Sequence, residues 1–283
     1  MAIWKPTMEY QQAVAANIEE HAEIAMEYEK RTRQLATDPA LWRTWYAEHL
    51  RLALGEIRVG CPGQEIFALD ACGGTGKTAF FLRQQGVTVT LCDVSREMTD
   101  VYAKICDDLG IEPHIELDEL ARYLSKPSTP TFHLITLSSA LHHIADFNAV
   151  LRLLISLLQP GGFIHTAWDP LPRSSGARVA LKLEYCVDRM LHPMSALRGV
   201  RRRIQRFSRR RTGYSILVNH EFHQDGMDDG RLIRDAEALG LLVRIHHRNP
   251  GGSLSFTKPL WRIFGDDTSS SLLLPCPSTG SSS

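Results

Sequence analysis

The chain has 283 residues, of which 43% are hydrophobic and 23% are charged. This length can bury a full core, and the composition is that of an ordinary globular protein, which argues against a largely disordered chain. The formal net charge is zero, but the charges are unevenly spread: residues 198–211 hold eight arginines and no acid, so the rest of the chain carries about −8.

The six cysteines, at positions 61, 72, 92, 106, 186 and 276, form no CxxC pair and no spacing typical of metal ligands. They are predicted to be reduced thiols, and no metal site is expected. No charged and then apolar leader follows Met1, and the most apolar run, residues 149–158, is short and contains Arg152. The sequence therefore predicts a cytoplasmic protein without a signal peptide or membrane span.

Two helices are predicted before the first strand, in an N-terminal helical segment that covers residues 1–60. The first is an acidic helix over residues 7–36. Asp38 and Pro39 are predicted to cap the second helix, which carries several leucines and tryptophans.

Residues 66–93 predict a strand, a glycine loop, a helix and a second strand. The first part reads Ile66-Phe-Ala-Leu-Asp-Ala-Cys-Gly-Gly-Thr-Gly-Lys-Thr-Ala79, and the second strand ends at Asp93. This is the first βαβ unit of a doubly wound sheet, in which a nucleotide-like ligand lies across the carboxyl ends of the strands. Asp93 is placed to accept hydrogen bonds from ribose hydroxyls.

Three ligands are compatible with this loop. Residues 74–79 fit the dinucleotide fingerprint, and Asp93 follows Gly74 at the expected distance. Residues 71–78 nearly fit the phosphate-binding loop of NTPases, except that Ala71 replaces its first glycine. The third interpretation uses Asp70, because a carboxylate at the end of the strand suits a ligand with an amino group and would repel pyrophosphate.

The segment Asp70-Ala-Cys-Gly-Gly74-Thr-Gly76 resembles the acid and GxGxG motif of the class I S-adenosylmethionine-dependent methyltransferases, except that Cys72 stands where the first glycine usually is. Residues 132–144 resemble the fourth strand of that family and the turn after it. Residues 157–167 resemble its Pro-Gly-Gly turn and fifth strand. No acid ends the strand at 132–139, so an NTPase magnesium ligand is missing there.

The resemblance implies an α/β fold with a doubly wound, Rossmann-like and mostly parallel sheet, and S-adenosylmethionine as the cofactor. Its motifs assign Asp70, Gly74 and Gly76 to the methionine end of the cofactor and Asp93 to the ribose. Asp118 would lie near the adenine, or be a helix N-cap acid. Ser138 and Leu141 would lie beside the sulfonium.

In this family, helices before the sheet often cover the cofactor, so Tyr28 and Trp42 are candidate contacts; the alternative is a packing layer without ligand contact. The Rossmann-like core is predicted over residues 61–169 and 227–265, with closing strands at 241–247 and 254–261. Residues 170–226 are predicted to form a helical cap inserted after the fifth strand. Residues 266–283 are rich in serine and proline and are predicted to be a disordered tail.

Methyl transfer from a sulfonium needs alignment in a dry pocket and, for a protonated nucleophile, a general base. The candidate general bases are titratable residues near the predicted pocket. His142 and His143 follow the fourth strand, Asp169 ends the fifth strand, and Glu221 and His223 lie near the end of the cap. Each also has a structural interpretation, such as a turn acid before Pro170 for Asp169.

The arginines of residues 198–211 have three interpretations: a solvated face of the cap, a clamp for an anionic substrate, or contact with a membrane surface or nucleic acid. Nucleic acid is the less supported partner because the cluster lacks interleaved aromatic residues. The sequence therefore predicts a methyltransferase for a small-molecule substrate. The alternatives are a non-catalytic S-adenosylmethionine-binding scaffold and an NAD(P)-dependent oxidoreductase.

Overall fold

The computed structural model describes residues 8–42, 44–144, 146–172, 186, 226–250 and 266–275. Most of the predicted cap lies outside these residues, including its arginine cluster, Glu221 and His223. The predicted strand at 254–261 also lies outside them. The helices are α1 (Met8–Thr37), α2 (Trp45–Gly60), α3 (Lys77–Gln84), α4 (Arg96–Asp108), α5 (Leu120–Leu124), α6 (Phe147–Ser156) and α7 (Asp229–Ala238). The strands are β1 (Phe67–Ala71), β2 (Thr88–Asp93), β3 (His114–Leu117), β4 (Phe132–Ser138), β5 (Leu158–Pro170), β6 (Leu241–Pro250) and β7 (Asp266–Pro275).

The strands form one sheet in the order β3-β2-β1-β4-β5-β7-β6. Strands β1 to β5 are parallel, whereas β7 runs antiparallel to both β5 and β6. The order reverses direction between β1 and β4, which is where a doubly wound sheet opens a crevice at its carboxyl edge. The predicted doubly wound, mostly parallel α/β fold is thus confirmed.

Both faces of the sheet are covered, as the apolar strands require. Neighbouring residues of β1 belong to different apolar clusters: Ala68 to one that includes residues of α2, α3 and α4, and Leu69 to one that includes residues of α5, α6 and α7. Both residues have no exposed surface. Two apolar layers therefore hold the strand ends at fixed positions, and the polar groups of the site project from these ends.

The prediction of a disordered tail from residue 266 was wrong for residues 266–275, which form β7 in the interior of the sheet. Leu272 and Leu273 are fully buried on opposite faces. Ser271 is also fully buried, and its hydroxyl is hydrogen-bonded to Nδ1 of His246 at 2.9 Å. Serine content suggested disorder, but small hydroxyl side chains fit a crowded sheet when a neighbouring strand supplies a partner.

The second N-terminal helix begins later than predicted. Residues Pro39–Trp42 form only a 3₁₀ turn, and Thr44 caps α2 by accepting a hydrogen bond from the backbone N–H of Ala47 at 3.3 Å. Tyr46, Leu50 and other buried residues of α2 pack against the sheet. Among the described helices, none combines the length and apolar character that crossing a bilayer requires.

Candidate active site

The loop between β1 and α3 has three residues with left-handed backbone angles. Cys72, Gly74 and Gly76 have φ values of +53°, +54° and +79°. Cys72 occupies the position that is glycine in the GxGxG motif of the methyltransferase family. Its backbone therefore adopts a left-handed conformation that costs roughly 1–2 kcal/mol for a non-glycine residue.

The three glycines of this loop have different surroundings. A Cβ on Gly73 would come within 2.8 Å of Leu91, and a Cβ on Gly76 would come within 2.1 Å of the ring of Tyr102. Gly74 would meet nothing within 4 Å. Gly73 and Gly76 therefore allow close packing of the loop on β2 and α4, while Gly74 leaves its turn open to the cavity described below.

Asp93 connects the loop to the end of β2. Its Oδ2 accepts a hydrogen bond from the N–H of Gly74 at 2.8 Å, and its Oδ1 accepts one from the N–H of Ser95 at 2.8 Å. Burial raises the pKa of Asp93, and these backbone donors oppose that rise. Each carboxylate oxygen has a second acceptor site, so Asp93 can still bind a ligand hydroxyl.

Asp70 lies behind the glycine loop. Its Oδ2 accepts a hydrogen bond from the N–H of Ala79 at 3.0 Å, and its Oδ1 accepts one from the hydroxyl of Thr136 at 2.9 Å. It is only 1% exposed, and burial raises its pKa to about 7. Asp70 and Gly76 are not among the residues that line the cavity. Their arrangement supports the loop and gives no sign of a direct ligand contact.

A cavity of about 760 Å³ lies over the carboxyl ends of the strands. This volume is within the usual range for small-molecule sites. From the sheet side it is lined by Gly74, Asp93, Asp118, Ser138, His142 and His143. Helix α1 and the residues before and within α2 line the opposite side, including Tyr28, Trp42 and Tyr46. Of the two interpretations of the N-terminal helices, the one in which they cover a ligand cavity agrees with this geometry.

Asp118 follows β3, as predicted, and lines the cavity together with Glu119. Its Oδ1 accepts a hydrogen bond from the N–H of Glu119, and its Oδ2 lies 2.9 Å from Nζ of Lys126. The N-cap of α5 is Glu119, whose side chain accepts a hydrogen bond from the N–H of Ala121. Asp118 is therefore placed beside the cavity by an ion pair, while its neighbour caps the helix.

His142 and Asp169, two of the predicted catalytic residues, are brought together at the ends of β4 and β5. Nδ1 of His142 lies 2.9 Å from Oδ1 of Asp169. The same oxygen accepts hydrogen bonds from the backbone N–H groups of Leu141 and His142 at 2.8 and 3.3 Å. An ionised carboxylate oxygen only accepts hydrogen bonds, so an ionised Asp169 favours the imidazole tautomer with its proton on Nδ1 and its lone pair on Nε2.

Asp169 itself does not line the cavity; it is 2% exposed, and burial raises its pKa while its bond to His142 opposes that rise. Within the described part of the chain, its Oδ2 is buried without a hydrogen-bond partner. Leu141 is 1% exposed and contributes its backbone N–H to Asp169 rather than its side chain to the cavity. His143 lines the cavity and contacts His142, with ring centroids 4.0 Å apart and the rings tilted by 43°.

Several lining residues were not identified from the sequence. Tyr46 is 3% exposed, and its hydroxyl shares a hydrogen bond with the hydroxyl of Thr78 at 2.5 Å. Lys77 has its Nζ 4.2 Å from the ring centroid of Tyr28, and burial lowers its pKa to about 8. Trp168 also lines the cavity. The only sequence signal for Lys77 was its place after the last glycine, and Trp168 was signalled only by its neighbour Asp169.

A family model described as "Methyltransferase domain" matches residues 69–164. These residues run from β1 through the glycine loop, Asp93 and His142 to β5. The strand order and the ligand-sized cavity at the carboxyl edge agree with that match.

Residues 69–164, here named the methyltransferase domain, are thus similar to a known methyltransferase family.

The methyltransferase domain has relatives of known activity. A tRNA 5-carboxymethoxyuridine methyltransferase from Escherichia coli (strain K12) is 33% identical over 106 residues, which cover 36% of this chain and 39% of that protein. A ubiquinone/menaquinone biosynthesis C-methyltransferase from Cellvibrio japonicus (strain Ueda107) is 35% identical over 98 residues, covering 33% and 39%. The similarity thus spans well under half the length of these relatives.

A solved structure of a putative sarcosine dimethylglycine methyltransferase from Galdieria sulphuraria shares the fold, with a TM-score of 0.51 and 15% identity over 81% of this chain and 83% of that one. S-adenosylmethionine is the cofactor of the class I methyltransferases that the sequence resembles. The methyltransferase domain fits it, because the open turn at Gly74 and the Asp93 carboxylate border one cavity of suitable size.

Proposed function

We propose that this protein transfers the methyl group of S-adenosylmethionine to a small-molecule substrate in the cytoplasm. The observation that carries the proposal is a shared cavity: Asp93 and the Gly74 turn border the same space as His142, which Asp169 holds from behind. One part of this cavity would therefore bind the cofactor, and another part of the same cavity would accept the substrate's proton.

When bound, S-adenosylmethionine supplies a methyl group that its positively charged sulfur already activates. The protein's task is then to bind, align and exclude water. Asp93 would accept hydrogen bonds from the ribose hydroxyls, and the acid at Asp118 would lie toward the adenine. Ser138, at the end of β4, would border the reacting end. Asp70 and Gly76 would support the loop and not contact the cofactor, since neither lines the cavity.

His142 is the proposed general base. Its Nδ1 proton is held by Asp169, so Nε2 would accept the proton of a substrate hydroxyl or amine. The buried carboxylate of Asp169 would then stabilise the imidazolium that forms, because an opposite charge within hydrogen-bond distance favours the charged ring. Asp169 thus acts as a positioning residue, and His143 shapes the wall beside it.

A small molecule is the favoured substrate because α1 covers the cavity from the side opposite the sheet. The hydroxyls of Thr32 on α1 and Thr75 in the glycine loop are buried and hydrogen-bonded at 2.7 Å, which fixes the helix over the loop. This arrangement supports an enclosed substrate over a polynucleotide lying across the surface. A tRNA substrate, which the name of one relative suggests, is the alternative outcome of the assay.

The first experiment is calorimetric titration of the full chain with S-adenosylmethionine, S-adenosylhomocysteine, NADPH and ATP with magnesium. Binding of the first two ligands is expected; no binding by either would overturn the proposal, and tighter binding of NADPH would favour an oxidoreductase. The second experiment incubates the protein with methyl-labelled cofactor and either a metabolite extract or unmodified tRNA. Label in the low-molecular-weight fraction is expected, label in tRNA would overturn the substrate class, and no label in either would indicate a binding scaffold.

A further inference from the structure

The end of β5 contains a local irregularity that determines where Trp168 points. The pairing of β5 with β7 shifts register between Ala167 and Asp169, so Trp168 is the extra residue of a bulge. Its φ is +65°, in the left-handed region that a bulky side chain rarely adopts. Bulges next to active sites commonly redirect one side chain out of the alternating pattern of a strand.

The bulge gives two consecutive residues different surroundings. Asp169 is buried against His142, whereas Trp168 is 40% exposed and lines the cavity. In a regular strand, a residue in this position would point to the face opposite its neighbour and pack under a helix. Here the strained backbone keeps a large indole beside the proposed base without burying it. Strain of this kind is maintained by the surrounding fold and is concentrated at functional sites.

Part of the indole of Trp168 is held by two aromatic side chains of α2. The ring centroid of Trp45 lies 4.8 Å away with an interplanar angle of 47°, and that of Tyr46 lies 6.1 Å away at 38°. Tyr46 is itself fixed by its hydrogen bond to Thr78. The indole therefore has a rigid backing, and its exposed part borders the same cavity as Ser138 and His142.

We propose that Trp168 is a platform on which a planar aromatic substrate stacks beside His142. This inference rests on the proposed function and specifies its substrate class. A rigid, partly exposed indole gains more from a flat π-system than from a saturated ring of equal size, because stacking adds to the burial of apolar area.

The test compares 1-naphthol with decahydro-1-naphthol, which has the same carbon skeleton without the flat ring. Dissociation constants are measured by calorimetry for the full chain, alone and with saturating S-adenosylhomocysteine. Wild type is expected to bind 1-naphthol about tenfold more tightly than the saturated alcohol. Equal affinities, or no binding of 1-naphthol, would overturn the proposal.

Variants then locate the stacking surface. Trp168→Leu keeps apolar bulk and is expected to weaken 1-naphthol binding about tenfold, whereas Trp168→Phe keeps a ring and should lose no more than about threefold. Phe67→Leu is the matched control, because Phe67 is 39% exposed and does not line the cavity. An equal loss in Phe67→Leu, or none in Trp168→Leu, would contradict the assignment.

A measurement on the wild-type protein covers the case in which Trp168→Leu fails to fold. The indole N–H resonance of Trp168, identified in a ¹⁵N spectrum by its absence in Trp168→Phe, is expected to shift on addition of 1-naphthol. An unshifted resonance at saturation would refute the platform. If S-adenosylhomocysteine does not bind, the proposed function fails, but 1-naphthol binding to the protein alone still decides the role of Trp168.

Discussion

His142 and Asp169 lie 27 residues apart in the chain, and their side chains are 2.9 Å apart between Nδ1 and Oδ1 at the ends of two neighbouring parallel strands. The oxygen of Asp169 that holds the ring also accepts the backbone N–H groups of the turn after β4. The turn and the imidazole therefore have one common anchor, and the orientation of the proposed base depends on a residue that does not itself line the cavity.

Replacing Asp169 with asparagine should lower turnover by about 10²-fold, because the neutral amide stabilises the imidazolium less well. Cofactor affinity should change by less than about threefold, because Asp169 does not line the cavity. The measurements are kcat with the identified substrate and the Kd of S-adenosylhomocysteine. His142→Gln should lower kcat at least as much, whereas His143→Gln, the neighbouring control, should lower it less. A normal kcat in Asp169→Asn would remove the pair from the mechanism.

Replacing Asp93 with alanine should weaken S-adenosylhomocysteine binding by roughly 1.5–3 kcal/mol, since charged hydrogen bonds to the ribose would be lost. The loop itself would also lose the acceptor of the Gly74 N–H. Asp93→Asn retains one acceptor oxygen and should lose less. Calorimetry measures both, and an affinity for Asp93→Ala equal to that of wild type would show that the ribose is held elsewhere.

Asp70 should make stability depend on pH in a predictable direction. Its folded-state pKa is raised from 3.8 to about 7, so the fold favours the protonated form. The resulting penalty is absent below the unfolded pKa near 4, increases as pH rises, and is fully present above about 7. Asp70→Asn should therefore gain about 4 kcal/mol in unfolding free energy over wild type at pH 8 and little at pH 4.

Urea unfolding at pH 4, 6 and 8 checks this expectation for Asp70. Comparing the two proteins at each pH cancels other groups, such as His165, whose pKa burial lowers to about 3. The same variant tests the role predicted from the sequence: with Asp70 behind the loop, S-adenosylhomocysteine affinity should stay within about threefold. A large loss of affinity in Asp70→Asn would restore Asp70 to the ligand site.

The glycines of the loop should respond differently to alanine. Gly74→Ala should lower the unfolding free energy by about 1 kcal/mol, because the alanine would have to adopt a left-handed backbone conformation but would collide with nothing. Gly76→Ala adds a collision with the ring of Tyr102 and should cost about 3 kcal/mol or more. Gly86 has φ +76° and open space around its Cβ position, so Gly86→Ala serves as the strain-only control. Unfolding free energies from urea titration measure all three, and equal losses for Gly74→Ala and Gly76→Ala would contradict the packing explanation.

The sequence determined the features that are local in the chain. Glycines and a terminal acid at fixed spacing predicted β1, its loop and β2, because tight turns and ligand-binding strand ends require particular residue types. The resemblance of residues 132–144 and 157–167 to the fourth and fifth strands of the methyltransferase family similarly predicted β4 and β5. These patterns were sufficient for the fold class and for the edge of the sheet where the cavity lies.

Only the tertiary structure decided which of these residues reach the cavity. Asp70 and Asp93 both end strands, yet hydrogen bonds from Ala79 and Thr136 hold Asp70 behind the loop, while Asp93 borders the cavity. Residues 266–275 became an interior strand because β5 and β6 supply pairing partners from distant parts of the chain. The exposure of Trp168 depends on a bulge in that same pairing. Contacts between segments far apart in sequence fix these outcomes, and the composition of either segment alone does not encode them.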